Sequence, residues 1–290
     1  KKKKKKTTRM DVAVKLMTRF VKKTLHQYTM YPVNTLRNIA LTMSKSNFVF
    51  LVDVDFIPSN DLHDQVIRSN FFKDFFFSQS NQYLHPNKSH VGSRPNVALV
   101  IPAFELVLYP ISQSQSNLAN RTSVSMAWNM SDVNTTPKFV SQISQLFLQQ
   151  QARAFHGLRC SHCHGPTNYP KWAQMVTNHS HTNATKDFYS IAYYNNYEPY
   201  IIVPRKGLRM YDERFQGYGL NKVMQIKMLA QLELFDFFVY TNGFLVAKEH
   251  GRTVDDTNWA TDPKKRKYIE WLGHQVDREI AQGIGTPVIY

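Results

Sequence analysis

The sequence predicts an α/β fold, a mixed sheet flanked by helices, and three observations carry that prediction. Short apolar runs of strand length alternate along the chain with segments whose apolar residues recur at helical spacing. The 290 residues are 42% hydrophobic and 13% aromatic, enough to bury a core in one large domain or two small ones. No internal repeat is visible, which excludes solenoids and propellers. No window of about 18 uninterrupted apolar residues occurs, and the start lacks the basic, apolar and small-residue order of a signal peptide. The chain therefore reads as soluble, or as cut from something longer.

The elements follow in order. Residues 1–29 open with the run Lys1 to Lys6, read as a disordered, self-repelling start and the remnant of an N-terminal part, and residues 30–290 as the folded domain. Leu36, Ile39, Ala40 and Met43 recur at helical spacing behind Asn34, a residue type suited to capping. An apolar strand runs from Phe48 to Asp53 and is broken by Pro58 and Ser59, after which a helix carries Leu62, Val66 and Ile67 inward. Residues 97–104 form a second buried strand, ended or kinked near Pro102. The Ser, Asn and Thr of residues 110–136 predict a loop. Phe139, Val140, Ile143 and Phe147 restore helical spacing. Residues 156–187 are rich in histidine and irregular, which predicts a site-bearing loop. Tyr200 to Val203 is a strand between Pro199 and Pro204. Val223, Ile226 and Ala230 mark a helix, followed by the strand Phe235 to Thr241 and the apolar run Phe244 to Val246. Asp262 with Pro263 starts a last helix whose buried stripe is Ile269, Leu272, Val276 and Ile280.

A formal charge of +15 invites a nucleic-acid partner, because clustered Lys and Arg bind phosphate backbones by releasing counterions. The six leading lysines supply six of those charges and leave +9. That remainder is spread along the chain, with one further knot at Lys264, Lys265, Arg266 and Lys267 on the last helix. Zinc-finger spacing, an RNP-like string and a basic-plus-heptad pattern are all lacking, so nucleic acid is not expected as a partner. A basic cleft also suits a negatively charged sugar nucleotide.

Cys160 and Cys163 stand in Cys-Ser-His-Cys-His, which matches the haem attachment pattern and lies near His162, His164, His179 and His181 as conceivable zinc ligands. A local disulfide or two free thiols is the plainer expectation. N-x-S/T sequons occur at Asn87, Asn120, Asn129, Asn134, Asn178 and Asn183, all between residues 87 and 183. They favour surface loops of a glycosylated lumenal protein.

The most specific chemistry lies in Phe48 to Asp55, an apolar run that ends in two carboxylates spaced by one residue. Strand alternation would put Asp53 and Asp55 on one side and point Val54 into the core. Paired hard oxygens at a strand end suit Mg²⁺ or Mn²⁺, with the other positions left to water and substrate phosphates. The competing reading is a strand giving way to a solvated loop.

Three further clusters accompany the pair: Tyr31-Pro-Val-Asn34-Thr-Leu-Arg37-Asn38; His164-Gly-Pro-Thr-Asn168-Tyr-Pro-Lys171-Trp172; and Tyr197-Glu198-Pro-Tyr200 followed by Asp212-Glu213-Arg214-Phe215-Gln216-Gly217-Tyr218-Gly219-Leu220-Asn221-Lys222. Taken in this order, over roughly residues 30 to 250, they closely resemble glycosyltransferase family 49. The resemblance implies a GT-A fold, a Rossmann-like mixed sheet that binds a UDP-sugar donor and a divalent ion, usually Mn²⁺ (or Mg²⁺), at the acidic pair. Its members are type II Golgi membrane proteins that transfer glucuronic acid from UDP-glucuronate to xylose with inversion, on a glycan or glycoprotein acceptor. Self-association into a homo-oligomer is left open.

Carried onto this chain, the resemblance makes Asp53 and Asp55 metal ligands, and Arg37, one turn beyond Asn34, a donor to diphosphate or ribose. Asn168, Lys171 and Trp172 offer an amide, a cation and an aromatic platform for a sugar. Glu198, Asp212 and Glu213 lead as general base, with Glu105 a weaker fourth. Gly217 and Gly219 would allow close backbone approach to a sugar, and Asn221 and Lys222 close the same motif. Two departures stand out. Family members usually carry a histidine, a third-ligand position, where this chain has Ala247, and His250 three residues on is the substitute. Few residues precede the Tyr-Pro-Val-Asn motif, so the opening strands that hold the uracil, and the membrane anchor, are read as lacking. These departures keep a second reading in view, a catalytically inactive relative that binds a glycan or a partner.

Overall fold

The computed structural model describes residues 31–77, 96–107, 136–179, 187–248 and 261–289. The chain divides into two compact units. The larger holds residues 46–208, 226–251 and 288–290, and the smaller holds 1–45, 209–225 and 252–287. The basic start, the 110–135 stretch, His250 and every sequon but Asn178 lie outside the described residues.

The larger unit is built on two mixed sheets. The first has five strands in the order β1-β7-β3-β8-β6, with β1 Phe48–Leu51, β3 Val97–Ile101, β6 Phe188–Ile191, β7 Tyr200–Pro204 and β8 Asp236–Tyr240. The second has four in the order β2-β9-β4-β5, with β2 Phe56–Pro58, β4 Ala103–Leu106, β5 Ala152–Ala154 and β9 Leu245–Ala247. In the first sheet β3 and β8 are parallel, and β1 runs in their direction because each of β1 and β3 is antiparallel to β7. The three strands that share a direction each leave the first sheet for the second, β1 into β2, β3 into β4 and β8 into β9. Pro102 makes the second of these crossings. It has no N–H to give to a ladder, so the apolar run of residues 97–104 becomes two strands in two sheets.

Helices α2 (Leu62–Arg68), α3 (Asn70–Phe72, continued by a π-helical turn Lys73–Phe77), α4 (Val140–Leu148), α5 (Ser161–His164) and α6 (Tyr169–His179) belong to this unit. Its core is aromatic: Phe71, Phe75, Phe188 and Phe238 pack edge to face or tilted with ring centroids 4.8 to 5.7 Å apart. Burying such a ring stabilises the fold by roughly 1.5 to 3 kcal/mol. Ile67, expected inward, is exposed, and Leu62 and Val66 alone carry that helix. The expected loop of residues 156–187 instead contains α6, whose start Asn168 caps: its Oδ1 accepts from Lys171 N at 3.1 Å. Asn178 sits in the last turn of α6 rather than on a loop.

The smaller unit holds α1 (Val33–Met43) and α8 (Pro263–Ala281), and α7 (Asn221–Gln231) begins in it. Sequence spacing placed Ala40 and Met43 on the buried face of α1, yet both are exposed and the buried positions are Asn34, Leu36, Asn38 and Leu41. Two asparagines can lie inward because their amides are satisfied. Asn34 Nδ2 donates to the Asp212 carbonyl at 2.8 Å, and Asn38 Nδ2 donates to the Tyr211 carbonyl at 2.9 Å while its Oδ1 accepts from Tyr211 N at 2.7 Å. Asn34 therefore sits within the helix and does not cap it. The last helix follows expectation: Asp262 caps it by accepting from Lys264 N and Lys265 N, and Ile269, Leu272, Val276 and Ile280 are buried. Gly273 joins that stripe, where a Cβ would come within 2.7 Å of Leu220 Cδ1.

Candidate functional site

In the larger unit, Asp53 and Asp55 lie in the crossing from β1 to β2, at the edge where β1, β3 and β8 all end. Ligands of open α/β sheets bind outside the carboxyl ends of such strands. The strand stops at Leu51, two residues short of the expected Asp53, and Val54 is fully exposed in a turn rather than in the core. The carboxylates are thus presented by a turn and not by strand alternation. That turn is tied on both sides, since the Asp53 carbonyl accepts from Phe56 N at 3.4 Å and the Asp55 carbonyl accepts from Lys248 N at 2.7 Å.

Tyr200 holds the first carboxylate. Its hydroxyl donates to Asp53 Oδ2 at 3.2 Å, and its buried ring packs on Phe56 with centroids 4.4 Å apart. On the other side the His164 ring stacks on Tyr200 at 5.8 Å, with Phe155 at 5.4 Å from His164. Sequence reasoning gave Tyr200 no role and His164 only that of a conceivable zinc ligand, although both stand inside the quoted motifs. The sequence carried no signal for this contact beyond the motif itself, because it depends on the pairing of β1 with β7.

Ala247 pairs with Phe56 across β2 and β9, immediately beside the Asp53–Asp55 turn. A histidine at this register position would stand next to the pair, and alanine offers no donor atom. The two half-buried carboxylates, both hard oxygen donors, fit a Mg²⁺ or Mn²⁺ ion.

Glu198, two residues before Tyr200, is half-buried, and its N–H donates to the Cys163 carbonyl at 2.8 Å. Cys160 and Cys163 are joined in a disulfide, the plainer of the expectations, which takes both thiols out of haem or zinc chemistry. His162 Nε2 lies 3.3 Å from Cys160 Sγ. Nearby, Lys171 is exposed with its Nζ 4.7 Å from the Tyr189 ring centre. Trp172 is fully buried and packs against Phe104 at 4.9 Å, so its ring has no open face for a sugar. Asn168 spends its side-chain oxygen on the α6 cap. Glu105 is paired with Arg153 at 2.5 Å.

The smaller unit gathers a second set. Arg37 donates from one terminal nitrogen to Asn34 Oδ1 at 3.0 Å and to Asn221 Oδ1 at 2.8 Å, and its guanidinium lies 5.0 Å from the Tyr211 ring centre. Asn221 Nδ2 in turn donates to the Gly217 carbonyl at 3.1 Å. Gly217 and Gly219 adopt φ of 69° and 104°, a left-handed region that glycine enters without strain. Lys222 is half-buried on the first turn of α7. Two of the candidate bases are engaged in structure here. Asp212 is buried and accepts from Arg214 Nε and Nη2 at 3.0 and 2.7 Å, and the same guanidinium binds Glu279 at 2.5 Å. Hydrogen bonds from Arg214 hold the Glu279 carboxyl below the usual range, and those it donates to Glu279 and Asp212 keep Arg214 charged. Glu213 accepts from Thr35 Oγ1 and Asn38 Nδ2, each at 2.9 Å.

Comparison with known sequences fits this arrangement. The chain is 28% identical over 262 residues to the mouse xylosyl- and glucuronyltransferase LARGE2, covering 90% of this chain and 30% of that protein. Human LARGE2 is 27% identical over 260 residues, covering 90% and 29%, and the Dictyostelium discoideum glycosyltransferase-like protein gnt14 is 28% identical over 240 residues, covering 81% and 30%. The chain spans less than a third of the length of the curated relatives it matches. The sequence pattern described as a glycosyl-transferase for dystroglycan matches residues 1–282, well beyond the 30–250 span of the motifs. The chain belongs to that family, the glycosyl-transferases for dystroglycan.

Proposed function

We propose that this chain is a metal-dependent, inverting glycosyltransferase that uses a UDP-sugar, UDP-glucuronate above all, to extend a protein-linked glycan at a xylose-type acceptor. The observation that carries the reading is the Asp53–Asp55 turn at the carboxyl edge of the sheet, its first carboxylate held by the buried Tyr200, in a member of this family. A bound Mn²⁺ or Mg²⁺ would neutralise the charge that gathers on the departing diphosphate. Asp53 and Asp55 would hold it, with one Asp53 oxygen fixed by the Tyr200 hydroxyl. His250 is the further ligand from the sequence.

The acceptor hydroxyl oxygen forms its bond to the sugar's anomeric carbon as the bond from that carbon to the diphosphate breaks, and the hydroxyl proton passes to a carboxylate. Glu198 is the base this reading favours, because it stands half-buried two residues before Tyr200, whose hydroxyl is on Asp53; Asp212 and Glu213 bind Arg214, Thr35 and Asn38. Lys171, in the same unit as the acidic pair, serves the sugar carboxylate. A disulfide and the sequons suit an oxidising compartment, and the reading places the full-length protein in the Golgi lumen as a type II membrane protein.

Ala247, in the family's histidine position, favours a second reading, an inactive member that binds a glycan or a partner. One experiment separates them. UDP release from UDP-glucuronate in the presence of Mn²⁺, abolished in Asp53→Ala, supports the enzyme. Absence of Mn²⁺-dependent UDP binding by the folded chain refutes it and leaves the binding protein.

A further inference from the structure

The basic knot on the last helix was not absorbed by the proposed chemistry. On α8, the positions 264, 267, 268, 271, 274 and 278 recur at three and four residues and so share one face. They are Lys264, Lys267, Tyr268, Trp271, His274 and Arg278, all exposed. The buried stripe of Ile269, Leu272, Val276 and Ile280 lies on the other side of the helix. This face carries an aromatic pair in the open. Tyr268 and Trp271 are 45% and 55% exposed, and their rings stack with centroids 5.9 Å apart and 28° between planes.

Two stacked exposed rings cost solubility, and nothing in the helix requires them, since the core face is complete without either. Lys264 and Lys267 stand on one side of the pair along the helix and Arg278 on the other, over about 21 Å of axis. Of the helix's carboxylates, Glu279 is bound to Arg214, and Glu270 and Asp277 stand at the edge of this face, three or four residues from Lys267 and His274.

We propose that this face of α8 is a binding platform for an anionic polysaccharide, a chain of sugars bearing carboxylate or sulfate groups. The apolar faces of sugar rings lie on Tyr268 and Trp271, and the lysines and Arg278 pair with the acidic groups between them. Basic groups beside stacked rings would also suit a single-stranded nucleic acid, but the chain belongs to a family of glycosyl-transferases, whose ligands are sugars, and that favours the polysaccharide. The platform does not depend on the reading of Asp53 and Asp55 and needs neither metal nor donor.

The test uses the whole chain with its first six lysines changed to serine, so that they do not compete. Binding of a hyaluronan oligosaccharide, a glucuronate-bearing chain, is measured by calorimetry at physiological salt without metal or UDP-sugar. Trp271→Ala and, separately, Lys264→Glu with Lys267→Glu should each weaken binding at least tenfold, with the melting temperature unchanged and neutral dextran not bound. Binding unaffected by Trp271→Ala overturns the proposal. So does a loss confined to the lysine changes, which marks a plain charge stripe, and so does capture of a single-stranded oligonucleotide as tight as that of the oligosaccharide. A shift of Trp271→Ala from dimer to monomer in sedimentation also overturns it, assigning the face to a second copy. Asp53→Ala should bind the oligosaccharide like the parent, which keeps this outcome separate from that of the transferase reading.

Discussion

Replacing Trp172 by alanine removes the largest fully buried side chain among the described residues, one whose ring lies 4.9 Å from that of Phe104, also fully buried. Truncating a buried tryptophan costs about 3 to 5 kcal/mol, a large share of the roughly 5 to 15 kcal/mol that holds a domain together. Trp172→Phe is the informative partner. It loses volume, which destabilises, but it also removes an indole N–H that is buried with no hydrogen-bond partner among the described residues, which relieves about 1 to 3 kcal/mol of desolvation. The two effects oppose, so the net change should stay within about 1.5 kcal/mol. Urea unfolding measures both variants, and turnover per folded molecule is measured alongside. A Trp172→Phe chain of parental stability whose KM for acceptor rises tenfold would refute the assignment of this ring to the core.

Tyr200→Phe keeps the packing on Phe56 and deletes only the hydroxyl on Asp53. The Mn²⁺ concentration for half-maximal turnover should rise about two- to tenfold, with kcat at saturating metal preserved; a fall in kcat at an unchanged metal requirement would contradict the positioning role. Ala247→His should lower that Mn²⁺ requirement by about tenfold, read by metal titration, and an unchanged titration would mean that the position does not face the ion. Because the Glu279 carboxyl is depressed in the folded chain, its contribution is present above the ordinary glutamate range and lost as pH falls through the folded value. Glu279→Gln should therefore flatten the acid limb of a stability profile, by at most about 1 kcal/mol given that Arg214 is half exposed, and an unaltered limb would count against the ion pair.

Strand and helix positions were legible wherever apolar periodicity decided them, as in α8, whose cap and buried stripe both follow from residue type. Periodicity failed on α1, because an asparagine can be buried when a distant backbone supplies its partners, and those partners, Tyr211 and Asp212, come from 173 and 178 residues away. It failed again at Val54, where alternation was extended past the end of a strand into a turn. The acidic pair was visible as a string, but its fixing by Tyr200 required knowing that β1 and β7 are neighbours. Trp172 shows the reverse limit: a motif position can serve packing as readily as binding, and only burial distinguishes the two.

The four-residue ring closed by Cys160 and Cys163 adds only about 2 kcal/mol by chain entropy, so its value is local. The Cys163 carbonyl is what the Glu198 N–H grips, and the next residue, His164, lies against Tyr200. A chain made in a reducing cytosol would thus emerge folded, with both sheets intact, yet slack between Glu198 and Tyr200, whose hydroxyl holds Asp53. Matched preparations, one oxidised and one reduced, would then differ in turnover far more than in melting temperature, and the host chosen for production becomes part of the enzymology.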